Sequence, residues 1–281
     1  MRAIAVVLVV MEVWWMAGCQ SQTGQIRGVE SPGDRDQSVG VHGDEDAIIE
    51  RAERLGRMLY IRDDAAAKAT DLLISQGVDF IEADSKGWIT ECQEDSCIVT
   101  YVTGKPQQWQ SFCVVEFKAG EDPNVYFSNK DLTETQSAMF EAKQRAFEAI
   151  DKPCSKAYNT VVIPRDDESG WLAYALAATT IPDALVVGGH YRVTVSEDGQ
   201  TILVKRRFTK SCLVLSTHPE DMPPDTKLAA LTLTHLLDNT PTEIHVWLNL
   251  QCGLPLYVGT PDRRMWRIED GSIQFVSRLK K

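Results

Sequence analysis

The fold is decided at residues 87–102, which read Gly-Trp-Ile-Thr-Glu-Cys-Gln-Glu-Asp-Ser-Cys-Ile-Val-Thr-Tyr-Val. Two segments rich in β-branched and aromatic residues, Gly87–Cys92 and Cys97–Val102, flank the polar turn Gln-Glu-Asp-Ser. Such a pattern is typical of a β-hairpin. A hairpin would bring the β-carbons of Cys92 and Cys97 together, so the stretch predicts two antiparallel strands closed by a disulfide.

The segments around this hairpin predict helices and more strands, which together form an α+β module over residues 44–152. Apolar residues recur at helical spacing over Asp46–Ser75, where Asp63–Asp64 predicts a break. Thr133-x-x-Gln136 is a capping box, and it predicts a helix over Thr133–Ile150. The other predicted strands of this module are Val78–Glu82, Gln110–Phe117 and Asn124–Phe127.

Residues 153–281 predict a mainly β module with one short helix, separated from the first module near Ile150–Cys154. The short helix is predicted over Lys227–Leu237, and a strand over Glu243–Gln251 follows it. The sequence thus predicts an α+β fold of antiparallel sheets covered by a few helices and stapled by disulfides. The remaining predicted strands are Thr160–Pro164, Trp171–Ala178, Ala184–Val187, Tyr191–Val195, Thr201–Phe208, Cys212–Leu215, Leu256–Val258, Met265–Ile268 and Ile273–Val276.

The amino terminus predicts export from the cytoplasm and attachment to a membrane. The apolar run Ile4–Val10 is too short to span a bilayer as a helix, which needs roughly 20 apolar residues. Met16-Ala17-Gly18-Cys19 follows it and resembles the lipobox of bacterial lipoproteins. This resemblance implies a signal peptide at 1–18 and a lipid on Cys19. Gln20 after the cysteine implies a lipid anchor in the outer membrane that faces the periplasm; plain secretion is the alternative.

Residues 19–43 are rich in Gln, Ser, Gly and Asp, and they predict a flexible tether. The lipid on Cys19 would hold one end of this tether at the membrane. The folded part would then stand off the membrane surface.

The chain has seven cysteines, so six remain besides Cys19. An even number in an exported protein indicates disulfides. Cys92 with Cys97 is the first predicted pair and Cys154 with Cys212 the second, which leaves Cys113 with Cys252. A zinc site is the alternative interpretation, but the one close pair has no second close pair downstream.

The formal net charge is −11 at pH 7. Nucleic acid and anionic lipid surfaces reward clustered Lys and Arg, so an acidic chain argues against both as partners. The common catalytic signatures are also absent from the sequence: it contains no Gly-x-Ser-x-Gly, no His-Glu-x-x-His, no phosphate-binding glycine loop and no calcium-loop spacing. No cofactor is therefore expected.

The histidines offer a possible metal site. His235 and Asp238 are three residues apart, on one face of the predicted short helix, and His245 lies on the predicted strand that follows. A helix packed on that strand would bring His235 and His245 together, with Asp238 or His190 as a third ligand for zinc. The alternative interpretation is a set of partly buried, hydrogen-bonded histidines.

Trp109 and Trp266 are candidates for an exposed binding surface. Trp109 follows a turn, and Trp266 lies beside Arg263 and Arg264. Aromatic and arginine side chains are frequent anchors of protein interfaces. The alternative is that each tryptophan packs over the edge of a sheet.

The leading functional prediction is a non-catalytic envelope lipoprotein that binds another envelope or secreted protein, either as an assembly factor or as an immunity-type inhibitor. Tyr158-Asn-Thr-Val-Val-Ile-Pro164, Gly188-Gly-His-Tyr-Arg192 and Lys210-Ser-Cys-Leu213 resemble segments of uncharacterised proteobacterial exported proteins, which implies no activity. The alternative is a small metal-dependent hydrolase of the periplasm that uses His190, His235, Asp238 and His245.

Overall fold

The computed structural model describes residues 43–165, 169–179, 181–217 and 228–279. It has an α+β fold in which helices cover antiparallel sheets and two disulfides are formed, as the sequence predicts. The predicted signal peptide at 1–18, Cys19 and the tether up to residue 42 lie outside these residues. No helix within the described ranges is long and apolar enough to cross a membrane.

The first helix, α1 (Gly43–Ser75), is continuous, so the predicted break at Asp63–Asp64 is wrong. Asp63 is buried, and its carboxylate accepts hydrogen bonds from Asn159 Nδ2 (3.0 Å) and Trp247 Nε1 (3.3 Å). Asp interrupts helices mainly because its side chain binds nearby backbone N–H groups. Here the carboxylate is bound to distant residues instead, and the helix continues through it.

The first sheet is a series of consecutive hairpins in the order β1-β2-β3-β4. Cys92 lies directly opposite Cys97, which confirms the predicted hairpin. The predicted strand at Val78–Glu82 is wrong, because these residues form turns in which the Asp79 carboxylate accepts the N–H groups of Ile81 and Glu82. The strands are β1 (Gly87–Gln93), β2 (Ser96–Lys105), β3 (Gln108–Lys118) and β4 (Asn124–Asp131).

The second sheet, here called the central sheet, is antiparallel with the order β5-β6-β8-β9. Helix α2 (Glu134–Glu148) packs on one of its faces and begins at the predicted capping box, in which Thr133 and Gln136 bind each other's backbone N–H groups. Its strands are β5 (Ala157–Pro164), β6 (Trp171–Ala178), β8 (Tyr191–Val195) and β9 (Ile202–Arg207). A separate short pair is formed by β7 (Ala184–Val186) and β10 (Val214–Ser216).

The third sheet has the order β11-β12-β13-β14, and its first two strands are parallel. Helix α3 (Glu243–Cys252) lies between them in the chain, as a crossover helix between parallel strands usually does. It ends at Gly253, whose φ of 66° is the left-handed conformation that favours glycine. The strands are β11 (Leu231–Thr234), β12 (Leu256–Gly259), β13 (Arg264–Glu269) and β14 (Ser272–Arg278).

Two predictions fail at this third sheet. The described part of Lys227–Leu237 contains strand β11 rather than a helix, and Glu243–Gln251 is helix α3 rather than a strand. The physical reason is burial: every residue of Glu243–Asn249 is buried, so this part of the helix has no solvent face and shows no clear helical period. A short, continuous apolar segment cannot be assigned from periodicity alone.

The central sheet has a hydrophobic core on each face. Ala173 and Ala175 of β6 pack in the cluster with α2, whereas Leu172 and Tyr174 pack with α1, α3 and the third sheet. A further cluster joins the second half of α1 to the first sheet. Both cores of the central sheet contain residues from before and after the predicted boundary at Ile150–Cys154.

The disulfides Cys92–Cys97 and Cys154–Cys212 confirm the first two predicted pairs. The third pair is wrong, because Cys113 and Cys252 are both free thiols. Cys113 is buried in the cluster of the second half of α1 and the first sheet, whereas Cys252 ends α3 and packs against the cluster that includes the first half of α1. Different hydrophobic cores therefore separate the two remaining cysteines.

Candidate functional site

His235 and His245 lie together, as the sequence predicts, but on elements of the opposite kind. His235 directly follows strand β11, where its backbone N–H donates to the Gly259 carbonyl (2.8 Å), and His245 is in the first turn of α3. The two rings are perpendicular with their centroids 4.7 Å apart, and both are buried. We call these two residues the histidine pair.

Asp238 fixes one member of the histidine pair. Its Oδ2 lies 2.7 Å from His235 Nε2 and accepts a second hydrogen bond from Arg206 Nη2 at 2.8 Å. Burial opposes ionisation of this carboxyl, but the hydrogen bond from His235 and the positive charge of Arg206 outweigh burial and lower its pKa. Asp238 is therefore a carboxylate that links β9 to the loop after β11.

His245 has a structural partner of its own. Its Nδ1 accepts the backbone N–H of Thr242 at 2.9 Å, which satisfies an otherwise free N–H at the start of α3. Burial holds the pKa of His245 well below its usual value, and the neighbouring His235 lowers it further. At neutral pH His245 is therefore a neutral residue that caps the helix.

His190 does not join the histidine pair as a metal ligand. Its Nδ1 accepts the Ala177 N–H at 3.0 Å, and its Nε2 lies 3.0 Å from the Val186 carbonyl, which requires a proton on Nε2. Its ring packs edge-on against Trp247, and burial lowers its pKa to about 4. Neither nitrogen has a lone pair to offer a metal.

The predicted zinc site of His190, His235, Asp238 and His245 is therefore not formed. Across the described residues, no group of three or more His, Cys, Asp or Glu side chains could hold a metal ion. The interpretation of these histidines as buried and hydrogen-bonded describes the geometry that is present.

Next to the histidine pair lies a buried ion pair that the sequence analysis missed. Arg192 of β8 donates to Glu243 Oε1 at 2.6 Å, and the Tyr174 hydroxyl donates to the same oxygen at 3.2 Å. The guanidinium groups of Arg192 and Arg206 lie over the ring of Phe208, at 5.9 and 4.8 Å from its centroid. No sequence motif marks this cluster, because its members come from separate elements.

Trp109 and Trp266 do not form the predicted exposed surface, because both are buried. Trp109 Nε1 donates to Glu141 at 2.7 Å, and Trp266 Nε1 donates to Thr260 Oγ1 at 3.3 Å. Each indole thus satisfies its one donor inside the protein, where it packs as a core residue.

The two arginines beside Trp266 are also engaged within the chain. Arg264 holds both carboxylate oxygens of Glu45 at 2.6 Å and also pairs with Asp262, while Arg263 donates to the Leu279 carbonyl at 2.9 Å. Arg264 thereby joins the beginning of α1 to β13. These contacts hold Glu45 of α1 and Leu279 after β14, and the predicted binding role of the two arginines stays a prediction.

Exposed apolar side chains are found instead on the outer strands of the sheets. Strands β4, β9 and β14 each lie at the edge of a sheet, and each carries apolar side chains that are 37 to 62% exposed. We call them the three apolar edges. Their exposed apolar residues are Tyr126 and Phe127 on β4, Ile202, Leu203 and Val204 on β9, and Phe275 and Val276 on β14.

Comparison with known proteins assigns no family to this fold. The chain matches no protein-family model, no curated protein and no solved structure. Function therefore has to be inferred from the residues themselves. The three apolar edges group exposed apolar residues on single strands, whereas others, such as Ile81 and Leu236, lie in turns and loops.

Proposed function

We propose that this chain is a membrane-anchored lipoprotein of the cell envelope whose folded part has no catalytic role and binds another protein. The observation that carries the proposal is the placement of exposed apolar side chains on the three apolar edges. The partner is an envelope or secreted protein, and the chain acts as an assembly factor or as an immunity-type inhibitor.

Physical chemistry makes exposed apolar edges unusual in a protein that acts alone. An edge strand presents unpaired backbone N–H and C=O groups, and natural proteins usually protect such edges with charges, prolines or bulges. β9 has a bulge at Leu203 and the basic residues Lys205–Arg207, yet its apolar residues remain exposed. On β9 three apolar residues follow one another with exposures of 37, 54 and 56%. Contiguous exposed apolar surface of this kind is typical of protein interaction sites.

Two features support the cellular location. The segment Met16-Ala17-Gly18-Cys19 has the pattern of a lipid-attachment signal. The disulfide between Cys154 and Cys212, 58 residues apart in sequence, fits an oxidising compartment such as the periplasm. Lipid on Cys19 would then keep the apolar edges in the envelope, where the partner is.

The binding role can be tested by placing a photo-crosslinking amino acid at Phe127, Leu203 or Phe275 in cells, with Lys68 on the exposed face of α1 as the matched control. We expect crosslinks to another protein from at least one edge position and none from Lys68. Absence of crosslinks at all three edges, or equal crosslinking from Lys68, would overturn the binding role.

The anchor can be tested separately with Cys19→Ser in cells supplied with radiolabelled palmitate. We expect the unaltered chain to carry the label and to sediment with outer membranes, and the variant to lose both properties because the thiol is the site of attachment. A labelled Cys19→Ser variant, or an unaltered chain without label, would contradict lipidation at this residue.

A further inference from the structure

We propose that β9 binds its partner by strand addition, and that the partner segment is extended, with an apolar half and an acidic half. This inference rests on the proposed function, because it specifies the partner of one of the three apolar edges. The features that carry it are the free edge of β9, its exposed apolar residues and the basic residues that follow them directly.

The backbone of β9 is open to a new strand. Among the described residues, β9 pairs with β8 alone, so its other side has no neighbouring strand. The register between β8 and β9 shifts at Leu203, which is an extra residue of β9. Ile202 and Val204 on either side of it pair with the adjacent residues Val195 and Thr194. A partner strand added to such an edge gains main-chain hydrogen bonds, and side chains along it set the specificity.

The sequence of β9 divides this edge into two chemically different halves. Ile202, Leu203 and Val204 form the apolar half, and Lys205, Arg206 and Arg207 form a basic half. The chain as a whole carries a net charge of −11, so a run of basic residues on an exposed edge stands out. Charge complementarity across an interface favours acidic residues opposite this half.

The basic half can bind carboxylates from outside. Lys205 pairs with Asp151 at 2.8 Å, and Arg206 pairs with Asp238 at 2.8 Å, but both pairs are partly exposed. Exposed ion pairs contribute little to stability, so Lys205 can exchange Asp151 for a partner carboxylate. Arg206 keeps its bond to Asp238, which also holds the buried His235, and has other N–H groups to donate. Arg207 has no carboxylate partner among the described residues; its Nε is buried without a hydrogen bond there, and its guanidinium lies 5.8 Å from the centroid of the Tyr191 ring.

The faces on which the basic side chains of β9 lie determine where the partner segment needs its acidic residues. Lys205 pairs with Val193 and Arg207 with Tyr191, both on the α2 face of the central sheet, whereas Arg206 pairs with Arg192 on the α3 face. Basic groups therefore lie on both faces. Because a strand alternates its side chains between faces, the partner needs acidic residues at consecutive positions.

A second copy of this chain fits the edge less well. If two β9 strands paired antiparallel about Val204, the basic residues Lys205–Arg207 would face Thr201–Leu203, which contain no carboxylate. Such a pair would leave the basic half without complementary charge. The charge pattern therefore favours a different, acidic partner segment over self-association.

The probe is a pair of ten-residue peptides with blocked ends, one with four consecutive Glu and Asp followed by alternating Val and Thr, and one with the same halves in reverse order. A peptide with Lys in place of every acidic residue is the control. Binding to the purified full chain is measured by fluorescence anisotropy at low and at high salt.

We expect one order of the acidic peptide to bind at least about tenfold more tightly than the Lys peptide, with the difference reduced at high salt. The preferred order identifies the direction of the added strand, because the acidic half must lie against Lys205–Arg207. Equal binding of the acidic and Lys peptides would overturn the proposal.

Two variants locate the binding. Val204→Lys on β9 should abolish binding of the preferred acidic peptide, and the matched Val276→Lys on β14 should bind it as the unaltered chain does. Circular dichroism checks that both variants fold. Unchanged binding in Val204→Lys would overturn the assignment to β9. The assignment would also be overturned if the unaltered chain formed a dimer in analytical ultracentrifugation and Val204→Lys did not.

The peptide experiment tests strand addition at β9, and the crosslinking experiment tests the proposed function, so the two can fail separately. If crosslinks form at Phe127 or Phe275 while the peptide fails at β9, the chain binds a protein through another edge and the strand-addition proposal is wrong. If the peptide binds at β9 but no edge crosslinks in cells, strand addition at β9 is supported and the proposed binding role in cells is wrong.

Discussion

On the α3 side of the central sheet, a buried arginine lies beside a buried glutamate. On the α2 side, a buried lysine has no carboxylate partner among the described residues. Arg192 binds Glu243 at 2.6 Å on the first side. On the second, Lys143 of α2 donates to the Trp88 carbonyl at 2.9 Å, and its ammonium lies over the Trp88 ring, 4.3 Å from the centroid. The two sides thus bury a basic group in different ways, Arg192 against Glu243 of α3 and Lys143 of α2 against Trp88 of β1.

The difference shows what each side needs in order to stay folded. A buried ion pair keeps both charges because each offsets the desolvation of the other, and removal of one member leaves the other uncompensated. A lone buried amine can instead give up its proton, and burial lowers the pKa of Lys143 to about 7. The first arrangement should therefore be sensitive to substitution, and the second to pH.

The largest effect is expected from Glu243→Gln, which leaves Arg192 charged and buried. We expect a loss of about 3–5 kcal/mol in the free energy of unfolding, measured by urea denaturation at pH 7. The double variant Glu243→Gln with Arg192→Met is the control, and it should recover much of this loss because no charge remains. A loss below about 1 kcal/mol in the single variant would show that Arg192 reaches water without its partner.

A second prediction concerns His190, which is buried on the α3 side without any charged partner in direct contact. Its pKa is about 4 in the folded chain and 6.5 in the unfolded chain, so the unfolded chain binds the proton more tightly. The stability from this residue is therefore complete above pH 6.5 and is lost as the pH falls toward 4. At about 1.4 kcal/mol per pKa unit, the loss is roughly 3 kcal/mol.

The measurement for His190 is urea denaturation at pH 7.0, 5.5 and 4.5, on the unaltered chain and on His190→Gln. The variant should be less stable at pH 7, because Gln cannot reproduce both hydrogen bonds of the ring, but its stability should fall less with acid. Parallel pH profiles would contradict the assignment of this acid sensitivity to His190. His245, whose pKa is also lowered by burial, and Asp238, whose pKa is lowered by its partners, contribute to the acid sensitivity that remains in the variant.

Local signals in the sequence were sufficient for the parts of the fold that form from neighbouring residues. The hairpin of Cys92 and Cys97, the capping box at Thr133 and the antiparallel order of the first sheet depend on contacts within a few residues. Helix α3 and strand β11 could not be assigned in this way, because they belong to a parallel crossover and α3 is buried all round. Their identity is decided by tertiary contacts.

The same distinction applies to the candidate sites. Spacing alone suggested that His235 and His245 meet, and they do, but the hydrogen bonds of each ring, which spacing does not give, decide that they and His190 are structural. The exposure of the apolar half of β9 could not be predicted from its sequence, because Ile202–Val204 is a continuous apolar run like that of a buried strand. Exposure follows from sheet order, and sheet order is a property of the whole chain.

The smallest effect is expected from Lys143→Met, and it has the opposite sign from the others. Met keeps the length of the side chain and the contacts with Trp88 and Phe140, but it removes the cost of burying an amine. We expect the variant to be more stable than the unaltered chain by about 2 kcal/mol at pH 7, which lies within the range for replacing buried charges with apolar groups.

The pH dependence separates this explanation from better packing alone. The pKa of Lys143 is about 7 in the folded chain and 10.5 in the unfolded one, so the unfolded chain binds the proton more tightly. The unaltered chain should therefore gain stability as the pH rises from 7 toward 10.5, whereas Lys143→Met should not gain this contribution. The advantage of the variant should shrink over that interval, as measured by urea denaturation at pH 7 and 9.5. An advantage that is the same at both pH values would mean that Lys143 keeps its proton in the folded chain, and the contrast between the two sides of the central sheet would then be one of packing.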